Sequence, residues 1–151
     1  MKGALLLLLL FSRVWSQPIV GEADSLTYEK NKIIYMGNVR ISRGNAVLTA
    51  NKVTIHLDEN KKAKLAEAEG NVRYVEGNRR GSADKMVYNI REETITLIGR
   101  AKVEDGPNFV EGEEIVYYRK ENRALAVGRG SKVRTFYVEE EDEKNRASRK
   151  P

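Results

Sequence analysis

The sequence predicts an all-β chain, and three observations carry that reading. Apolar and polar residues alternate in short runs from Pro18 to Val138, with no sustained apolar pattern at helical period. Turn chemistry breaks those runs at Glu29-Lys30-Asn31-Lys32, Arg43-Gly44-Asn45, residues 58–62, Glu76-Gly77-Asn78, residues 89–93, Asp105-Gly106-Pro107-Asn108 and Lys120-Glu121-Asn122. One unit is written about four times, opening at Ala23-Asp24-Ser25-Leu26-Thr27-Tyr28, Ala50-Asn51-Lys52-Val53-Thr54-Ile55, Ala83-Asp84-Lys85-Met86-Val87-Tyr88 and Gly112-Glu113-Glu114-Ile115-Val116-Tyr117. These openings stand 27, 33 and 29 residues apart, and repeats of that length predict stacked units that bury a core only together.

Met1 and Lys2 precede a short leucine-rich run from Ala4 to Phe11, and Val14-Trp15-Ser16 ends on a small residue. Residues 1–16 therefore read as a secretory signal peptide cleaved after Ser16. An uncleaved membrane anchor is the rival reading, but the run falls short of the ~20 residues that span a bilayer. The domain then occupies residues 17–138, with residues 139–151 as a charged, disordered tail.

Within the domain, Leu26, Tyr28, Ile33, Tyr35, Val39 and Ile41 alternate with Thr27, Asn38 and Arg40, and Asn31 supplies the residue tolerant of positive φ between them. Ala46, Leu48 and Ala50 share one parity, whereas Val53, Ile55 and Leu57 share the other, which predicts a bulge or a corner between Ala50 and Val53. Lys61 to Glu69 consists of helix formers. The repeat overrides that propensity, because Gly70-Asn71-Val72-Arg73 restates Gly37-Asn38-Val39-Arg40. The last unit, Phe109 to Val138, loses its parity around Gly128-Arg129-Gly130.

The chain has no cysteine, so neither disulfides nor thiolate metal sites contribute. Its net charge of +5 falls to +3 once Lys2 and Arg13 leave with the leader, and Lys and Arg interleave with Glu. That pattern lacks the basic stripe of a nucleic-acid binder. Arg79-Arg80 and the stretch from Arg129 to Arg134 are the local basic excesses, read as surface or as partners for headgroup phosphates.

His56, the sole histidine, is opposite in parity to Ile55 and points outward. No Ser/His/Asp set, metal-ligand cluster or glycine-rich phosphate loop stands out. The carboxylate pairs Glu92-Glu93 and Glu113-Glu114 point to opposite faces of their strands and do not converge. No enzymatic function and no cofactor are expected. Asp24, Asn51, Asp84 and Glu113 recur at one place in each unit and read as Asx-type turns at strand starts.

Alternation places Leu26, Tyr28, Val39, Ile41, Val53, Ile55, Val72, Tyr74, Met86, Tyr88, Ile95, Leu97, Val103, Phe109, Ile115 and Tyr117 on one side of the strands. Two readings follow. The face is either the solid core of an exported structural or interaction β-repeat with no lipid ligand, or the lining of a groove that holds something apolar.

The Ala-Asp-x-Leu-x-Tyr opening, the Gly-Asn-Val-Arg-Ile second strand and the Val47-Leu48-Thr49-Ala50-Asn51 approach resemble the OstA-like family of lipopolysaccharide-transport proteins, over about residues 18 to 136. The resemblance implies an open antiparallel β-jellyroll of stacked V-shaped layers whose apolar inside holds the acyl chains of lipid A. It further implies a periplasmic protein that docks head to tail with copies of itself, and with related jellyroll domains of inner- and outer-membrane components, to form a bridge. The groove residues it implies are the apolar set above, foremost Leu26, Tyr28, Val39, Met86, Tyr88, Leu97 and Tyr117. The small size, the irregular last unit and the charged tail depart from the family pattern and bear on the number of layers and on the docking edge.

Overall fold

The computed structural model describes residues 18–139, so the predicted leader and its cleavage point, and residues 140–151 of the predicted tail, lie outside the described residues. Ten strands form one antiparallel sheet: β1 (Ile19–Glu22), β2 (Ser25–Glu29), β3 (Lys32–Arg43), β4 (Ala46–Leu57), β5 (Ala63–Glu76), β6 (Arg79–Asn89), β7 (Thr94–Asp105), β8 (Asn108–Tyr118), β9 (Arg123–Val127) and β10 (Arg134–Phe136). From β3 to β8 each strand pairs with the next, while β1 and β2 both pair with β3 and β9 and β10 both pair with β8. Of the helix-forming stretch Lys61 to Glu69, Ala63 onward enters β5 as extended chain, because hydrogen bonding to β4 and β6 on both sides outweighs local propensity, while Lys61 and Lys62 stay in the preceding turn.

Every long strand is interrupted at its middle. The register shifts between Met36 and Val39, Thr49 and Lys52, Glu69 and Val72, Ser82 and Lys85, and Ile98 and Ala101. At three of these places two consecutive residues take left-handed backbone: Gly37 and Asn38 (φ +83 and +48), Gly70 and Asn71 (+81 and +47), and Gly99 and Arg100 (+82 and +48). These pairs are corners, and they divide the sheet into two walls. The upper wall holds β2, the first halves of β3, β5 and β7, the second halves of β4, β6 and β8, and β9. The lower wall holds β1, the complementary halves, and β10.

The repeated acidic or amide residue belongs to these corners and not to strand starts. Asn51 and Asp84 sit inside β4 and β6, opposite a corner glycine, and Asp24 occupies the break between β1 and β2. Asp24 N–H donates to Gly37 O at 2.8 Å, and Asn38 Nδ2 donates to Asp24 Oδ2 at 2.9 Å. The Arg100 guanidinium holds Asp84 Oδ1 at 2.7 and 3.2 Å. A Cβ built on Gly37 or Gly99 would lie 2.5 Å from the carboxylate of Asp24 or Asp84, and one on Gly70 would collide with the Asn51 amide. Only glycine satisfies both the φ and the approach.

The expected parity switch between Ala50 and Val53 is present, and it recurs in β6 between Ala83 and Met86. The last unit breaks where expected. Residues 128–133 leave the sheet, Gly128 packs against the Ser131 carbonyl, and the left-handed residue there is Gly130 (φ +86). In the first hairpin the positive-φ residue is Lys30 (φ +49) and not Asn31, whose carbonyl instead accepts the Leu57 N–H.

Candidate apolar groove

Between the walls, at the β5–β8 end, lies a cavity of about 320 Å³. The upper wall contributes Met86, Ile95, Leu97, Ile115 and Tyr117, and the lower wall contributes Val72, Tyr74, Gly81 and Val103. Register explains the convergence: Met86 faces Leu97, Leu97 faces Ile115, Ile95 faces Tyr117, and Val72 lies across from Ala83. Directly opposed residues share a face, so these side chains form continuous rows across the strands. Glu76, Arg79, Arg80, Glu104 and Asp105 line the mouth.

Eight of the sixteen residues expected to line a groove meet here: Val72, Tyr74, Met86, Ile95, Leu97, Val103, Ile115 and Tyr117. Val39, Ile41, Val53, Ile55 and Tyr88 share the inner face but do not line this cavity; at 0–5% exposed they pack into the core, as do the backs of the lining residues Val72 and Met86 at 1%. Small partners allow that closure, since Val53 and Ile55 pair with Ala68 and Ala66, Val39 with Ala50, and Ala66 in turn with Tyr88. One end of the inner face is therefore solid and the other hollow.

One expectation is corrected, and two residues lie outside the cavity. Leu26 and Tyr28 pair with Tyr35 and Ile33 in the inner-face rows but lie on β2 at the edge of the sheet, 62% and 56% exposed, and do not line this cavity. Phe109 is on the outer face. Its cross-strand neighbours are Glu104 and Phe136, its ring stacks on Phe136 at 5.6 Å, and Lys102 Nζ stands 4.5 Å above it. The reason is a third parity switch, at Gly112-Glu113, so Val110 faces inward in the first half of β8 while Ile115 and Tyr117 do so in the second. Gly81 is a lining residue that alternation overlooks. Its missing side chain leaves space between Tyr74 and Val103, which it pairs with on either side.

The chemistry of the lining is spare. Burial pushes the Tyr74 hydroxyl far above its usual range, reinforced by its 2.6 Å hydrogen bond to Glu76 Oε1. Tyr88 is raised too, by burial first. His56 lies on the outside as expected, with Nε2 2.7 Å from Glu67 Oε1, and Lys85 Nζ sits 3.1 Å from the other oxygen. Burial raises the Glu67 carboxyl, but the hydrogen bonds from His56 and Lys85 more than reverse this and leave it lowered. Among the described residues no cluster of three His, Asp or Glu side chains could hold a metal ion.

A corner-bent antiparallel sheet, open at both edges among the described residues and carrying an apolar hollow between its walls, defines the class: a jellyroll-like fold with a groove. The family model described as LptA/(LptD N-terminal domain) LPS transport protein matches residues 18–123, and the chain belongs to that family. It is 33% identical over 112 residues to the lipopolysaccharide export system protein LptH of Pseudomonas aeruginosa, which covers 67% of this chain and 63% of the relative. It is 30% identical over 134 residues to the lipopolysaccharide export system protein LptA of Haemophilus influenzae, with 82% and 78% covered. To the LPS-assembly protein LptD of Aliivibrio fischeri it is 37% identical over 86 residues, and there the match spans 10% of the relative's length. The chain thus matches a tenth of that LptD and somewhat under two thirds of that LptH. The crystal structure of Pseudomonas aeruginosa LptH, titled as the LptA homologous periplasmic component of the conserved lipopolysaccharide transport device, shares the fold, with a TM-score of 0.68 at 24% identity over 82% of this chain and 96% of that one.

Proposed function

We propose that this protein is a periplasmic carrier of lipopolysaccharide, which shields the acyl chains of lipid A between its two walls as one element of a bridge from the inner to the outer membrane. The observation that carries the reading is the hollow half of the inner face, where apolar side chains from both walls surround unfilled space. Each methylene left in water costs ~0.8 kcal/mol, so an amphiphile with several chains meets a barrier of tens of kcal/mol between membranes. An apolar groove removes that barrier by partition alone, and the role needs no catalytic group.

The edges support a bridge. β1 and β2 at one end and β9 and β10 at the other each leave one side unpaired among the described residues. Val20, Leu26 and Tyr28 are exposed at the first edge, and Leu125, Phe136 and Tyr137 at the second. Unpaired strands of this kind add strands from another chain, so head-to-tail association with copies of itself or with related domains would continue the groove.

The test is displacement of a fluorescent lipopolysaccharide analogue from the purified protein, before and after Leu97→Arg. Saturable binding that is lost in a variant still rich in β-structure supports the carrier. A folded protein that binds no analogue returns the face to a packed structural repeat, the reading that the solid β3–β5 end favours.

A further inference from the structure

The two lips of the groove are built differently, and we infer that the upper lip is a rail for anionic headgroups, phosphate esters in particular, which fixes the orientation of an acylated cargo. This rests on the groove reading proposed above. The lower lip is made of tight glycine turns at Gly44, Gly77 and Gly106, each with left-handed backbone, and its arginines Arg79 and Arg80 stand opposite the carboxylates Asp105 and Glu104 across the β6–β7 pair. The upper lip is made of the turns at residues 30–31, 58–62, 90–93 and 119–122, and these are stitched to one another. Leu57 N–H donates to Asn31 O at 2.8 Å, Ile90 N–H to Lys64 O at 3.1 Å and Arg119 N–H to Glu93 O at 3.0 Å. Side chains repeat the stitch: Lys61 Nζ to Asn31 Oδ1 at 2.8 Å, Arg91 to Asp58 at 3.1 Å and Lys120 Nζ to Arg91 O at 3.4 Å.

Lysine charges stand along this line without a carboxylate partner among the described residues. Lys61 and Lys120 bond to neutral oxygens, and Lys30 and Lys62 are exposed on the same turns. Successive turns lie two strands, about 10 Å, apart, and the lysines stand on the first, second and fourth of them, the third carrying none. The arginines on the lip are different: Arg91, Arg119 and Arg123 are each engaged by Asp58, Glu93 or Glu121.

A second feature points the same way. Tyr28, Tyr88 and Tyr117 fall in one cross-strand row on the inner face just beneath this lip, linked through Ile33, Ile55, Ala66 and Ile95. The Tyr28 ring lies 5.9 Å below Lys61 Nζ, and the Tyr117 hydroxyl donates to Asn122 Oδ1 at 3.4 Å. Tyr28 and Tyr117 are 56% and 36% exposed while Tyr88 between them is buried, and partly exposed tyrosines beside an apolar row mark an apolar–polar boundary. Here the boundary runs parallel to the lysines, and the lower wall offers Tyr74 alone among its lining residues. Acyl chains below the tyrosines and phosphates above them satisfy both rows.

The experiment compares two acyl-matched amphiphiles, one with a monophosphorylated sugar headgroup and one with the same sugar unphosphorylated, on the purified protein. The variants are Lys30→Gln/Lys61→Gln/Lys62→Gln/Lys120→Gln and, as control, the outer-face set Arg40→Gln/Arg73→Gln/Lys132→Gln. The lip variant should lose roughly tenfold in affinity for the phosphorylated amphiphile, while the neutral one binds as before and the control changes neither. The preference for the phosphorylated amphiphile should also vanish in the unaltered protein at high salt. Equal behaviour of the lip variant and the unaltered protein, or an equal loss in the control, overturns the rail. Inorganic phosphate alone should not displace the amphiphile; displacement at low millimolar concentration would make the lip a free-phosphate site and also overturn it. Failure of both amphiphiles to bind the unaltered protein would instead reject the groove.

Discussion

The corner glycines give the most exacting test of the architecture, and Gly99→Ala against Gly106→Ala is the informative pair. Both glycines have left-handed backbone, at φ +82 and +59, so both substitutions incur the ~1–2 kcal/mol cost of an L-residue there. Nothing lies within 4 Å of a Cβ on Gly106, whereas one on Gly99 would meet the Asp84 side chain at 2.5, 2.9 and 3.0 Å. Forcing a methyl into such a contact adds about 1–3 kcal/mol. Gly99→Ala should therefore cost about 2–5 kcal/mol, and Gly106→Ala about 1–2 kcal/mol. Urea denaturation read by far-ultraviolet circular dichroism measures both, with an unchanged slope showing that only stability moved. Adding Asp84→Ala should recover part of the loss but not all of it, because the residue-84 Cβ remains 2.9 Å away. If the two single variants agree within about 0.5 kcal/mol, the corner contact does not hold the walls and the account of the bend is wrong.

Leu97→Arg should abolish acyl binding at a cost in stability smaller than Met86→Arg, since Leu97 is only partly buried at the cavity while Met86 is 1% exposed; comparing melts with binding isotherms checks this. Tyr74→Phe leaves Glu76 without its 2.6 Å donor and should cost about 1 kcal/mol, read from the same urea curves. Because Tyr74 and Tyr88 are held protonated, their folded values lying above the ordinary tyrosine value of 10.0, they contribute stability at neutral pH that is lost as pH rises above 10. A melting temperature that stays flat there speaks against their burial. Glu67 has the opposite sign, its lowered value giving stability above the ordinary 4.5 that is lost as pH falls through the folded value. Glu67→Gln should flatten that part of the acid limb. Arg43 is 3% exposed with an Nε lacking a partner among the described residues, so Arg43→Met should be neutral or stabilising by thermal melt.

Most of the scaffold was legible because period and turn chemistry agreed. Gly70-Asn71-Val72-Arg73 repeating Gly37-Asn38-Val39-Arg40 overruled the helix formers before it, and the parity switch between Ala50 and Val53 marked a corner. What misled was parity. The switch was visible in β4, where Ala50 and Val53 are both buried, but in β8 the equivalent switch falls between Gly112 and Ile115, and a glycine gives no apolar marker. Phe109 was carried to the wrong face for that reason. Nor does alternation separate filled from hollow. Val53 and Met86 follow the same rule, yet the first packs into the core end and the second faces the space that Gly81 and Val103 leave open. Leu26 and Tyr28 fit the pattern but stand at an edge, and a sheet's edge is a property of the whole topology.

The most direct test of the central claim asks whether acyl chains enter between the walls. Residues 17–151 contain no tryptophan, so in that chain a single tryptophan placed at Leu97 or at Phe109 would be titrated with lipopolysaccharide analogues carrying a quenching group on an acyl chain. The account predicts strong quenching from Leu97→Trp, on the cavity lining, and little from Phe109→Trp, on the outer face. Equal quenching at both positions, or quenching at the outer one alone, would contradict it.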